Sequence, residues 1–205
     1  MITVDEPWLS AMTLAWEAHR SGNIGVGAVV TDGDGRIVAR GRNRTVDSEA
    51  PAGRLHGSYL AHAEVDALTQ LGHGDHEQHT LWTTLEPCLL CAAAAVLSHV
   101  GEVRFAAADP LWSGIERMPE LNAQVARRWP QRIGPIEGPV ARFCALLPLV
   151  WVVKRRTDGV VIRAYETADP DLLTLSRSMV RQGSLDRLAD LPLTEALGIV
   201  WPQLA

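Results

Sequence analysis

Lysine is almost missing from this chain of 205 residues: Lys154 stands alone among 19 basic side chains, and the rest are arginine. With 24 acidic residues the net charge is −5. A dedicated binder of tRNA or DNA carries an electrostatic footprint of the opposite sign. The balance therefore sets the expectation that nucleic acid is not a partner. Arg36, Arg40, Arg42 and Arg44 recur on alternate positions and read as the exposed face of a strand. Long apolar runs are missing too. The longest, residues 145–153, contains Pro148 and reaches about half of the ~18 residues a membrane span needs. Residues 157–205 hold seven acids against four bases, where a membrane-surface helix needs a basic polar face. No membrane association is expected. Asp5 and Glu6 precede any apolar run, which does not resemble a secretory signal. Only three cysteines are present, too few for a disulfide framework. Two of them in C-x-x-C spacing suit a metal site in a reducing compartment, so the expected location is cytoplasmic. There is no internal repeat and no low-complexity segment.

What remains is a globular composition with helices and strands in alternation. Residues 7–20 place Trp8, Met12, Ala15 and Trp16 at helical spacing, with Gly22 as a stop. Residues 24–31 form a valine-rich strand. Asp32 to Gly35 is a hairpin turn, and the partner strand follows over 36–41. The connection over 44–60 is longer than usual and is a candidate lid or substrate loop. A helix is expected over 61–71, a strand over 81–84, a helix opened by Pro87 and running to 98, and a strand over 102–107. Residues 109–119 read as a loop, 120–129 as a helix, and 139–147 as another. A kink or break is expected at Pro148, because proline inside a helix costs ~3 kcal/mol. The final segment carries Leu172, Leu175, Met179, Leu185 and Leu188 as two short amphipathic helices that dock on the domain or on a partner subunit. The division expected is a domain over 1–156 and a helical C-terminal extension over 157–205.

Two stretches carry chemistry. One is His62-Ala63-Glu64; the other is Pro87-Cys88-Leu89-Leu90-Cys91. One imidazole and two thiolates with an open fourth position are what a catalytic Zn2+ needs, whereas a structural zinc takes four protein ligands. Cys88 and Cys91, three apart at a helix start, face one side, where the positive end of the helix dipole favours thiolates. Zinc held by His62, Cys88 and Cys91 would bring the pKa of a water down towards ~7. Glu64 is not needed as a ligand and is placed to move that water's proton to a ring nitrogen and then to a leaving amine.

Together these stretches resemble the H-x-E…P-C-x-x-C signature of the zinc-dependent cytidine deaminase-like superfamily. The resemblance covers about residues 7–110. It is nearest to the guanine deaminase and tRNA-adenosine deaminase clade, carried by Cys88 to His99 and by Val103 to Asp109. It implies an α/β fold of three layers, helix–sheet–helix, with about five mixed strands, and commonly a homodimer. Asn43 sits where that clade places an asparagine that contacts the base, and Ala63 is grouped with it as substrate-binding. Two departures stand out. Residues 57–61 replace the clade's usual Asp-Pro-Thr-Ala before the His-Ala-Glu, and Pro110 to Gly114 replace a segment with lysine and glycine. Those regions hold substrate contacts in the family.

Trp112 is placed either to stack on a base or to anchor the fold, and Asp109 either to orient substrate or to cap a turn. His73, His76 and His79 read as solvated loop histidines, and Cys144 as a small buried hydrophobe. The reading that follows is a hydrolytic deaminase of a small nucleobase or nucleoside, with purines favoured. The alternatives are a tRNA-adenosine deaminase and a non-catalytic, zinc-stabilised interaction protein. Glu64, a carboxylate beside the metal that is not a ligand, speaks against the last.

Overall fold

A run of small and β-branched residues, Gly27-Ala-Val-Val-Thr31, makes β1, and every one of its residues is buried. Such a strand can only lie in the middle of a sheet covered on both faces. The computed structural model describes residues 4–204 and places β1 there. Residues 1–3 of the expected domain and residue 205 of the expected extension lie outside the described residues.

The elements follow as α1 (Glu6–Arg20), β1 (Gly27–Thr31), β2 (Ile37–Arg42), α2 (Ala63–Leu68), β3 (Thr80–Leu85), α3 (Leu89–Leu97) and β4 (Glu102–Ala107). Two 3-10 turns, Pro110–Trp112 and Ile115–Arg117, lead to α4 (Met118–Leu121), α5 (Ala123–Arg128) and β5 (Gln131–Ile133). Helices α6 (Pro139–Val153), α7 (Val160–Ala168), α8 (Pro170–Gln182), α9 (Ser184–Arg187) and α10 (Leu193–Val200) follow, and a 3-10 turn, Trp201–Gln203, comes last among the described elements. The sheet has the order β2-β1-β3-β4-β5. β1 is antiparallel to β2 and β3, while β4 is parallel to β3 and β5. This is the mixed five-stranded sheet expected, with a helical layer on each face.

Alternation along the strands sorts side chains into two cores. On one face Ala28, Val30, Leu81 and Val103 meet Ala63, Ala67 and Leu68 of α2 and Ala95 of α3. On the other, Trp8, Met12 and Trp16 of α1 pack with Phe143, Leu146 and Leu147 of α6. The same core takes in Leu172 and Met179 of α8, Leu185 of α9 and Leu197 of α10. Glycine permits the closest approach of helix to sheet. A Cβ at Gly41 of β2 would overlap the Ala63 carbonyl oxygen and the Ala67 nitrogen of α2.

Several expectations need correction. Helix α6 runs unbroken through Pro148. Its missing N–H costs ~3 kcal/mol, but Leu146, Leu147, Leu149 and Val150 around it are all buried, each worth ~1.5–3 kcal/mol. The helix expected over 120–129 is interrupted at Asn122, whose side chain accepts the N–H groups of Gln124 and Val125 and starts α5. β5 is an additional strand that no sequence pattern announces. It is short and polar, and it exists because Glu102 and Arg104 of β4 pair with Gln131 and Ile133. Cys88, not Pro87, caps α3. The arginine stripe is not a solvated face throughout: Arg42 pairs with Asp47 at 2.7 Å and Arg44 with the fully buried Asp66 at 2.7 Å. Among the described residues no helix is long and apolar enough to cross a membrane.

Candidate active site

The N-termini of α2 and α3 meet at the site. His62 is the N-cap of α2, and its carbonyl accepts from Asp66 N at 2.9 Å. Cys88 is the N-cap of α3, and Cys91 lies in its first turn. Two anchors fix α2: the Gly41 approach, and Asp66, which takes Arg44 and the Leu55 main-chain N–H at 3.3 Å.

His62 Nδ1 lies 3.6 Å from Cys88 Sγ and 3.4 Å from Cys91 Sγ, and the two sulfurs are 3.6 Å apart. Zinc–sulfur bonds of about 2.3 Å and zinc–nitrogen bonds of about 2.0–2.1 Å at tetrahedral angles put S···S near ~3.8 Å and N···S near ~3.6 Å. The donor set therefore fits zinc in type and in spacing. Among the described residues this trio is the one His/Cys/Asp/Glu group so converged. The hydrogen bond from Cys91, then that with His62, draws the Cys88 thiol down to about 4 against the opposing effect of burial. The same sulfur–sulfur bond, with burial, holds Cys91 well above the ordinary thiol value. A divalent cation bound here would displace the protons of both sulfurs.

Glu64 is 3% exposed. Thr83 of β3 donates its hydroxyl to Oε1 at 3.0 Å, and Oε2 lies 3.3 Å from Cys91 Sγ. Burial raises the Glu64 pKa above its ordinary value. The result is a carboxyl that can hold a proton close to the metal corner without being needed as a ligand.

A cavity of about 280 Å³ opens in front of this corner. His62, Glu64 and Cys88 form its floor, and Asn43, Asp109 and Trp112 stand in its wall. These six expected residues thus share one space, with Cys91 buried directly behind it. Ala63 does not line it; its methyl is buried in the α2 core. Asn43 and Asp109 each combine a turn-forming role with a place at the cavity. Asn43 Oδ1 accepts from Thr45 N and Thr45 Oγ1, as a turn residue does, which leaves its NH2 to the cavity. Asp109 Oδ1 caps the Pro110–Trp112 turn by accepting from Leu111 N at 3.0 Å. Burial raises its pKa to about 6.

The rest of the wall comes from segments that the sequence does not mark. Residues 44–60, the candidate lid, contribute nothing to the cavity; Pro148, Leu149 and Val152 of α6 and Val161 and Tyr165 of α7 do. Glu86 is a further site residue that sequence reasoning misses, although it stands two residues before Cys88. Its Oε1 accepts from Arg132 of β5 at 2.6 Å and its Oε2 from Asp109 N at 3.2 Å, tying three strand ends together at the cavity. Thr83 and Tyr165 carry no sequence signal, since only the sheet and α7 bring them here. His76 and His79 lie edge to face with ring centres 4.8 Å apart, outside this group. Cys144 is buried as expected, and burial raises its thiol to about 12.

A mixed five-stranded sheet with a His-Cys-Cys corner at two helix N-termini defines a zinc-type deaminase domain. The chain matches the cytidine and deoxycytidylate deaminase zinc-binding region over residues 4–107, half of its length, and belongs to that family. It is 38% identical over 117 residues to a tRNA(Ile)-lysidine synthase of Deinococcus radiodurans, covering 55% of this chain and 19% of that protein. It is 37% identical over 114 residues to a tRNA-specific adenosine deaminase of Bacillus subtilis, covering 53% of this chain and 65% of that protein. The chain thus spans less than two thirds of these relatives' own lengths. A guanine deaminase structure from Nitrosomonas europaea aligns with TM-score 0.54 over 74% of this chain and 86% of that one, at 18% identity, a likeness of fold.

Proposed function

We propose that this protein is a hydrolytic deaminase of a small aminated nucleobase or nucleoside, with purines favoured. The observation that carries this reading is the Glu64 carboxyl, enclosed beside the metal corner and facing a cavity. When bound, zinc supplies a Lewis acid that brings the pKa of a water down towards about 7. His62, Cys88 and Cys91 would hold it. Glu64 Oε2 takes one proton from the attacking water and passes it to the ring nitrogen beside the amine-bearing carbon, then takes the remaining proton from the oxygen now bonded to that carbon and gives it to the amine, which leaves as ammonia as the carbonyl forms. Thr83 holds Oε1, which leaves Oε2, on the side of Cys91 and the metal corner, as the oxygen to carry the proton. The Asn43 amide donates to the ring, and Trp112 offers a face for stacking. Any contact from Ala63 comes from its main-chain N–H, at the open start of α2.

The size of the cavity favours a small substrate, being at the lower end of ligand pockets. Its wall is built in part by α7, so residues 157–204 serve as the closing element of a domain ending near residue 156. Kinship with an adenosine deaminase supports a purine. That same kinship favours a second reading, deamination of adenosine in tRNA, and the expectation of no nucleic-acid partner finds no support from relatives named for tRNA. A homodimer is proposed for the exposed apolar side chains Tyr59 and Leu60, 93% and 59% exposed just ahead of His62. A reducing, cytoplasmic setting suits the free metal-binding thiols.

The test is ammonia release by the zinc-loaded protein from adenine, guanine, cytosine, their nucleosides and a tRNA transcript. Turnover of a base or nucleoside that is insensitive to salt supports the first reading. Turnover of tRNA alone, with binding that weakens steeply as salt rises, replaces it with the second. No ammonia from any of them overturns both.

A further inference from the structure

The metal cavity is not the largest space on this side of the molecule. A second chamber of about 760 Å³ lies next to it, between the Pro110–Trp112 turn, α6, α7 and the start of α8. Glu86, Asp109 and Tyr165 line both spaces and so form the partition. The chamber reaches Ala141 and Arg142 of α6, Ala164 of α7 and Asp169.

The partition presents unused hydrogen-bonding groups. Tyr165 is 4% exposed, yet its phenol makes no hydrogen bond to another described residue. A hydroxyl without a protein partner on a side chain that lines two cavities is available to a ligand. Asp109 spends Oδ1 on Leu111 N, which leaves Oδ2 unengaged among the described residues. Two other acids of the lining are paired, Glu86 with Arg132 at 2.6 Å and Asp169 with Arg142 at 3.5 Å, while Glu116 makes no ion pair with a described residue. A ligand reaching into the chamber therefore meets acceptors, a phenol and small alanine side chains, and no unpaired cation among the described residues.

We propose that the chamber is a subsite for an uncharged, hydroxyl-bearing substituent on the base, such as the pentose of a nucleoside, with Asp109 Oδ2 and Tyr165 Oη receiving its hydroxyls. A free base fills only the metal cavity and leaves these groups without partners. A nucleoside monophosphate brings an anion against Asp109 and Glu116, where like charges repel. This rests on the deaminase reading of the adjoining cavity and narrows its substrate from base or nucleoside to nucleoside.

The test pairs calorimetric binding with ammonia release on the zinc-loaded full chain. The probes are adenine, guanine and cytosine, their nucleosides and their 5′-monophosphates. For at least one base the nucleoside is expected to bind about tenfold or more tightly than the free base and than the monophosphate. Tyr165→Phe is expected to lower the nucleoside-to-base ratio of affinity about 2- to 10-fold, one hydrogen bond's worth. Ala164→Phe, which fills the chamber, should lower it further. Bases that bind as tightly as their nucleosides, or variants that weaken both equally, overturn the proposal, as does a chain that binds none of the probes. Nucleoside-selective binding without ammonia from any probe would overturn the deaminase reading and leave the subsite standing.

Discussion

Thr83 Oγ1 donates to Glu64 Oε1 at 3.0 Å, so a residue of the central sheet holds one oxygen of the carboxyl whose other oxygen faces the metal corner. Glu64 is on α2 and Thr83 on β3, nineteen positions apart. The bond occupies Oε1 and leaves Oε2 turned to Cys91 Sγ at the metal corner.

Glu64→Gln keeps the shape and removes the proton carrier. It should lower kcat by about 10²–10⁴-fold while the zinc content stays at one per chain. Thr83→Val should leave zinc in place and cost about tenfold in kcat, the value of a hydrogen bond to a charged group. Steady-state kinetics with a colorimetric metal assay separates the two. Full activity in Glu64→Gln would end the assignment.

Cys88→Ala and Cys91→Ala should each lose zinc on dialysis and melt at a lower temperature than the loaded parent. In the unmutated protein, zinc occupancy should fall as the pH drops, because protons compete for the sulfurs and for His62. Zinc occupancy measured across a pH series checks this, and a variant that stays fully metallated contradicts the ligand set.

Gly41→Ala tests how α2 is seated. The added methyl meets the Ala63 carbonyl and the Ala67 nitrogen, both main-chain atoms that cannot turn aside. An overpacking cost of about 1–3 kcal/mol is expected, with weaker zinc retention because His62 rides on the same helix. Unchanged melting and zinc affinity would show that α2 is not held there.

Asp109→Asn probes a buried carboxyl whose pKa rises from 3.8 to about 6 in the fold. With the folded value above the unfolded one, its stabilising contribution is complete below about 3.8 and is lost as the pH rises through about 6. At pH 7.5 the charged form is a burden of about 1–2 kcal/mol after allowance for partial exposure. Asparagine keeps the cap on Leu111 N and removes the charge. The variant should therefore melt higher than the parent at pH 7.5, with the difference gone near pH 4. Thermal melts at both pH values decide it, and a lower melting temperature at pH 7.5 would refute it.

The metal corner is legible in the sequence because its geometry is local. Cys88 and Cys91 are one helical turn apart, and His62 and Glu64 belong to one helix start. The elements through β4 are legible too, since Val29, Val30 and Leu81 on the strands and Trp8, Met12 and Trp16 on α1 carry clear periodicities. β5 is not, because three residues have no period of their own and form a strand only where β4 offers a partner edge. Pro148 misleads because its local backbone cost is offset by burial that only the packed helix provides.

By itself the sequence pointed to the fold class, to the trio His62, Cys88 and Cys91, and to Glu64 as the carboxyl proposed to move the proton. These follow from spacing along single elements and from the chemistry of the side chains. Only the tertiary structure decided what encloses the cavity at the metal corner. The cavity is closed by α6 and α7 and not by residues 44–60, and Thr83 and Glu86 reach the site from β3 and its end while Tyr165 comes from α7. No period or spacing records such a meeting. It arises when the C-terminal helices bury their apolar faces against α1 and α6, and that packing sets Tyr165 beside Asp109.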